Sequence, residues 1–355
     1  MKKRGMLRRY LQTAGYAWAN YRAGQAIYPF YASLKVSNVC ASKCNYCDLW
    51  KEMRENPMIL PKEKAYAIID NLAKSSILCL SFEGGEPFLH KDIVEILRYA
   101  ATKPFWTELT CSARPDHFKK YPIREAAPYL DMLHFSIDEG HENLELYDRL
   151  HDLRDYHPKM SVQIVVSCDT LSELEWKVKR INECGMWTII MPATPLDKAE
   201  KVLPKLSKFV AEVARLKKKY RRTILTSDFM LDNLLKSPGG CSASSIVIDG
   251  GGKLYYPCRV LEKKTIDLAH NSLNTFVETP VAQAERDFMR KCDRPCGWCQ
   301  YYGTVSATSV RGTYQAMKPW FQYALFRQSV RFRRPFCEPL DAASTNLKLQ
   351  DQKFL

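Results

Sequence analysis

"YASLKVSNVCASKCNYCDLW", residues 31–50, joins a short strand-like run to three cysteines, Cys40, Cys44 and Cys47, in a C-x3-C-x2-C spacing. Three thiolates on one short loop are a soft donor set suited to zinc or an iron–sulfur cluster. A structural zinc site closes with four protein ligands, and here no fourth Cys or His is local; the nearest His is His90. A three-thiolate [4Fe–4S] cluster would leave one iron open to an outside ligand.

Reading outward, this run is the first of six: "YASLKVSNV", "ILCLSFEGG", "WTELTCSA", "MLHFSIDEG", "KMSVQIVVSCD" and "MWTIIMPAT". Amphipathic helical stretches such as "PKEKAYAIIDNLAKS", "HKDIVEILRYAATK" and "SELEWKVKRINECG" lie between them. Strand then helix, repeated about six times, argues for parallel strands with right-handed crossovers. The period fits both an open doubly wound sheet and a partial barrel. In either, ligand chemistry belongs at the carboxyl ends of the strands, where the cysteine loop falls.

The 355 residues suffice for about two domains. No run approaches the ~20 apolar residues that cross a bilayer, and the basic N-terminus lacks the apolar core of a secretory signal, so a cytoplasmic location is expected. Eight of the 13 cysteines fall in two clusters, and a reducing compartment favours metal binding over disulfides. Cys79, Cys111, Cys168, Cys184 and Cys337 are expected to be small buried hydrophobes.

After residue 230 the texture changes. "SPGGCSASSIVIDGGGKLYYPC" predicts a hairpin turning at Gly250–Gly252 and bracketed by Cys241 and Cys258. A helical segment then leads to "KCDRPCGWC", with Cys292, Cys296 and Cys299. The chain thus divides into a basic amphipathic helix (1–31), a core domain (32–228), a cysteine module (229–305) and a basic, aromatic tail (306–355).

The C-x3-C-x2-C loop resembles that of the radical S-adenosylmethionine (radical SAM) enzymes. "GGEP", Gly84, Gly85, Glu86 and Pro87, at the second strand end, matches a second motif of that family independently. The resemblance implies a partial (β/α)6 TIM-type barrel with a small C-terminal iron–sulfur module. It implies that Cys40, Cys44 and Cys47 hold a [4Fe–4S] cluster whose fourth iron takes the amino and carboxylate groups of S-adenosylmethionine. Reductive cleavage would give methionine and a 5′-deoxyadenosyl radical that abstracts hydrogen from substrate. Tyr46 would pack near the adenine and GGEP would border the methionine amino group. "HFSIDEG" resembles the family's strand end that brings Ser136 near the cofactor, with Asp138 beside it, and Arg149 resembles an arginine that pairs with the methionine carboxylate. Glu139 interrupts the usual Asp-Gly pair. The C-terminal cysteines resemble SPASM and twitch extensions with an auxiliary iron–sulfur cluster. Cys241, Cys258, Cys296 and Cys299 are the expected ligands, with Cys292 in reserve; a structural zinc site is the competing reading. A reducing donor such as a flavodoxin or ferredoxin is the implied partner.

The net charge of +14 is uneven: eight positive charges and no acidic residue precede Asp48, and six positive charges and no acidic residue lie between Gln300 and Cys337. These flanks carry the whole excess and point to an anionic partner. Leu7, Leu11, Ala14, Trp18 and Tyr21 recur at three- and four-residue steps over 6–21, as in a helix packed on the main domain. Interleaved basic and aromatic residues equally suit an anionic membrane surface, peripheral to its inner face. The function expected first is a radical SAM enzyme on a membrane-associated or lipid-like substrate, with peptide or protein maturation as the alternative. A zinc-type nucleic-acid-binding protein is the third. His90 and His134 are not assigned catalytic roles.

Overall fold

The computed structural model describes residues 5–114, 119–194 and 202–330, with the side chains of 322–330 excepted. All six strand runs form strands: β1 (Tyr31–Lys35), β2 (Cys79–Glu83), β3 (Trp106–Cys111), β4 (Met132–Ser136), β5 (Met160–Val166) and β6 (Trp187–Pro192). They pair in parallel in the order of the chain. A doubly wound sheet reverses its strand order at a switch point. Here the order never reverses, so crossovers of one hand leave the helices on one face, as in a barrel opened along one seam.

The helices are α1 (Met6–Ala23), α2 (Leu49–Glu55), α3 (Lys62–Lys74), α4 (Ile93–Ala101), α5 (Ile123–Ala126), α6 (Leu150–Arg154), α7 (Leu174–Glu183) and α8 (Leu206–Lys219). Alternation along the strands sorts the two faces. Leu34, Phe82, Leu109 and Phe135 point toward the helices and share a core with Ile68 and Leu72 of α3, Ile96 of α4, Ile181 of α7 and Val213 of α8. The opposite face carries Ser33, Lys35, Ser81, Glu83, Glu108, His134 and Ser161, a polar concave lining.

The hairpin after residue 230 also forms, following α9 (Asp228–Leu234): β7 (Ser245–Ile248) pairs antiparallel with β8 (Lys253–Tyr255), which pairs antiparallel with β9 (Lys264–Asp267). Asp249 Oδ1 accepts from the backbone N–H groups of Gly251 and Lys253 and fixes the turn. β7 runs parallel to β1, giving one nine-stranded sheet of order β6-β5-β4-β3-β2-β1-β7-β8-β9. The cysteine module therefore begins as an extension of the core sheet. α10 (Leu273–Val277), α11 (Pro280–Arg290), α12 (Cys299–Gly303) and α13 (Val310–Val330) complete the described chain.

α1 does pack on the body, but with the face opposite to the one its pattern suggests. The buried Arg9 guanidinium donates to the carbonyls of Ser75 and Ile77 and caps the C-terminal end of α3. Asn20, also buried, donates to the carbonyls of Tyr28 and Ser306 and accepts from the N–H groups of Ile27 and Tyr28. Leu7, Leu11, Trp18 and Tyr21 are left exposed. Among the five cysteines expected in the core, Cys111 and Cys184 are buried and Cys79 half-buried, whereas Cys168 is exposed on the loop after β5. Cys337 lies outside the described residues. No described helix is long and apolar enough to cross a membrane.

Candidate active site

The cysteine loop leaves β1 at its carboxyl end and is clamped by the GGEP turn leaving β2. Gly85 N–H donates to the Ser37 carbonyl and Glu86 N–H to the Val39 carbonyl, both at 2.8 Å. The contact admits no side chain: a Cβ on Gly84 would stand 2.3 Å from the Ser37 oxygen, and one on Gly85 2.4 Å from the Val39 oxygen. Glu86 is buried with both oxygens engaged, Oε1 accepting from Phe88 N–H and Oε2 from the N–H and hydroxyl of Ser112. Its carboxylate therefore braces the ends of β2 and β3, and burial raises its pKa. Pro87 begins the turn that leads away.

Cys44 is buried and Cys40 and Cys47 half-buried, all as free thiols. Burial pushes Cys40 up to about 11 and Cys47 up to about 12, with Cys44 adding to both. Thiols held protonated in this way become ligands when a metal cation displaces the proton. Among the described residues no three His, Cys, Asp or Glu side chains converge as a formed metal site. The loop matches a cluster in donor type and position, without preset ligand geometry.

Tyr46 hangs from the same loop. Its hydroxyl donates to Asp138 Oδ1 at 2.8 Å and stands 3.0 Å from His141 Nδ1. Its ring lies where a Cβ on Gly140 would intrude, at 2.3 Å from Cε1. Asp138, fully buried, also accepts from Val165 N–H and contacts His141 Nδ1 at 2.9 Å. Burial opposes charge on both, but the pairing prevails: the carboxyl is held below its usual range, and Asp138 with Cys44 lifts the imidazole well above its own. Asn143 ties this corner together, its amide donating to the Ser112 and Ser136 carbonyls and its oxygen accepting from Asp138 N–H. Ser136 lies buried at this corner, its carbonyl held by Asn143. Arg149 does not: it is exposed, with Nε on Asp152 at 3.1 Å, and the role of a carboxylate-binding arginine finds no support in that position.

The second cysteine group gathers differently from the sequence expectation. Cys241, Cys258, Cys292 and Cys296 line one small cavity with Met289, Arg294, Tyr301 and Tyr302. Burial raises Cys241 to about 11 and Cys258 and Cys296 to about 12. Cys299, preferred above over Cys292, is not in this cavity; it opens α12 and feels the charge of Glu83 at the end of β2. The step from Cys296 to Cys299 carries the chain around the cavity and back toward the concave face. The two cysteine sites are joined by an ion pair between their sequence neighbours: Arg259, after Cys258, donates to Asp48, after Cys47, at 3.0 and 3.2 Å.

Residues 34–182 match the radical SAM superfamily. The chain carries a radical SAM domain. That family works with a [4Fe–4S] cluster and S-adenosylmethionine. Among curated proteins, the PqqA peptide cyclases of Rhodopseudomonas palustris and Bradyrhizobium diazoefficiens are 31% and 29% identical over 85 residues, each match covering 24% of this chain and 22% of the relative. The chain therefore matches about a fifth of the length of those curated relatives. Among solved structures, Streptococcus suis SuiB bound to precursor peptide SuiA gives a TM-score of 0.60 at 18% identity, covering 84% of this chain and 76% of that one. anSMEcpe with bound AdoMet gives 0.55 at 17% identity, covering 84% and 97%. At these identities the likeness is one of fold, and it agrees with the partial barrel.

Within the radical SAM domain the concave face holds an ionisable network that no motif announces. Glu108 on β3 accepts from the Tyr31 hydroxyl at 3.3 Å and faces His134 Nε2 at 3.6 Å; His134 Nδ1 meets the Ser161 hydroxyl at 2.7 Å. Glu83 gathers Ser33 at 2.6 Å, Gln300 at 3.0 Å and Lys35 at 3.8 Å. The signal available in the sequence is the alternation: in a strand whose odd positions are core, charged even positions line the other face. His90, by contrast, sits on the turn after GGEP with both nitrogens engaged, its Nε2 on the Leu60 carbonyl and Nδ1 accepting from Asp92 N–H.

Proposed function

We propose that the protein is a radical SAM enzyme that modifies a peptide or protein side chain. The observation that carries the reading is the open three-thiol loop held on the Gly84–Gly85 backbone at the carboxyl edge of the sheet. Bound there, a [4Fe–4S] cluster and S-adenosylmethionine would supply an electron and a sulfonium, whose reductive cleavage gives methionine and a radical able to abstract hydrogen. The chain's own part is placement. Cys40, Cys44 and Cys47 would hold the cluster, and Tyr46, fixed by Asp138, would wall the adenine. With Glu86 occupied by Ser112 and Phe88, acceptors for the methionine ammonium fall to main-chain carbonyls of the GGEP turn.

A peptide substrate is supported by the peptide cyclases, which match at 28–31% identity over 78–85 residues; nothing comparable supports the lipid-like substrate that the basic ends suggested. Cys241, Cys258, Cys292 and Cys296 would hold an auxiliary cluster, and a flavodoxin or ferredoxin would supply electrons. The anionic membrane surface is a separate proposal with its own physical basis.

The test is the metal content of protein purified and reconstituted without oxygen. About eight irons per chain, falling to about four when Cys40, Cys44 and Cys47 are all replaced by Ala, are expected. 5′-Deoxyadenosine formation from S-adenosylmethionine should vanish with them. Zinc in place of iron, or cleavage that survives the triple replacement, overturns the assignment.

A further inference from the structure

We propose that the outward face of α1 is a docking surface for an anionic lipid bilayer. At about 100° of helical turn per residue, Leu7, Tyr10, Leu11, Ala14, Trp18 and Tyr21 fall within an arc of about 100°. That arc is the solvent side. Leu7 is 76% exposed, Leu11 69% and Trp18 61%, and the Trp18 and Tyr21 rings stack at 5.7 Å. The polar side chains that an isolated amphipathic helix would show to water are instead turned inward and bonded: Arg9 to the end of α3, and Asn20 to Tyr28 and Ser306. The helix is thus fixed to the body by its polar face, so the apolar stripe is held outward by hydrogen bonds that cannot follow it into the core.

Charge selects the occupant. Arg8 and Arg22 are exposed and flank the stripe on one side, and no acidic residue precedes Asp48. A second copy of this chain would bring the same positive surface against itself. An anionic bilayer offers apolar depth for leucine and tryptophan, with opposite charge at the headgroups. α13 has the same character where its side chains are described: Val310, Tyr314, Met317 and Phe321 are exposed along one face, with Arg311 alongside. It starts four residues after Ser306, the residue to which Asn20 bonds.

The proposal is independent of the reaction and is tested without it. The reconstituted full chain is sedimented with vesicles of phosphatidylcholine alone, and with vesicles of phosphatidylcholine mixed with phosphatidylglycerol. Binding to the mixed vesicles, much weaker binding to the neutral ones, and loss with added salt are expected. Leu11→Glu with Trp18→Glu should lower the partition coefficient at least about tenfold, and Arg8→Glu with Arg22→Glu should lower it while leaving the stripe whole. Failure to bind either vesicle overturns the proposal. So does a concentration-dependent dimer abolished by the Leu11 and Trp18 pair, or binding to single-stranded RNA but not to anionic vesicles.

Discussion

At the residue scale, the legible positions are those where chemistry allows one residue type. A thiolate ligand must be cysteine and a close backbone approach must be glycine, so residue type alone proposes the triad as ligands and marks Gly84–Gly85 as the close approach that the structure contains. Gly85→Ala tests the clamp: its Cβ would meet carbonyl oxygens of Val39 and Asn38 at 2.4 and 2.7 Å, neither of which can swing aside. A loss of about 2–3 kcal/mol in unfolding free energy should accompany visibly weaker binding of S-adenosylmethionine, measurable by denaturant titration and calorimetry. Residues that act through other residues were not legible. Asn143 and His141 carry no motif, yet one joins three backbone groups and the other holds Tyr46 and Asp138 in register. Arg149 was misread for the converse reason: spacing brought it into line with a motif, but its side chain stands on the surface with Asp152. The same distinction separates Cys292 from Cys299. In Cys292→Ala the auxiliary cluster should be lost, with about four irons fewer per chain, whereas Cys299→Ala should keep about eight; the opposite pattern would restore the ligand set expected from spacing.

At the element scale, periodicity found every core strand but could not say which face of α1 meets the protein. A hydrophobic stripe ordinarily marks the buried side; here Arg9 and Asn20 find specific backbone partners and reverse the helix. Long-range pairing was equally hidden. The sequence suggested a hairpin at 245–255, whereas its parallel pairing of β7 with β1 depends on a residue separation that no local pattern records. The Asp48–Arg259 pair spans the same gap, with Arg259 also 4.6 Å over the Tyr255 ring. Arg259→Met leaves Asp48 without its cation in a mostly buried place and should cost about 3 kcal/mol. Asp48→Asn should cost less, and the double variant less than the two together, because the partners share one interaction. Strict additivity in a denaturant double-mutant cycle would remove this pair as the tie between the cysteine sites.

For the whole molecule, the shared sheet decides how the two cysteine sites depend on each other. A module docked through a loose surface unfolds by itself. Here β1 is paired with β2 on one side and β7 on the other, so separating the module exposes the edge of the barrel's first strand, from which the cysteine loop departs. Arg259 pulls on the far end of that loop through Asp48, and the hydroxyl of Tyr301, which lines the second thiol cavity, accepts from Arg259 N–H at 2.7 Å. If Cys241, Cys258, Cys292 and Cys296 hold a cluster as proposed, its loss therefore loosens the support of the cysteine loop after β1. Metal ligation of this kind contributes at least about 5 kcal/mol to folding, and losing it from a chain of this size lowers the melting midpoint by about 7 °C or more. Cys258→Ser should then melt in one transition at the lower temperature, with circular dichroism and the visible absorbance of the remaining cluster falling together. Two separated transitions, the absorbance of the Cys40–Cys47 cluster surviving the first, would mean that the sheet does not transmit the loss and that the two sites fold as independent bodies.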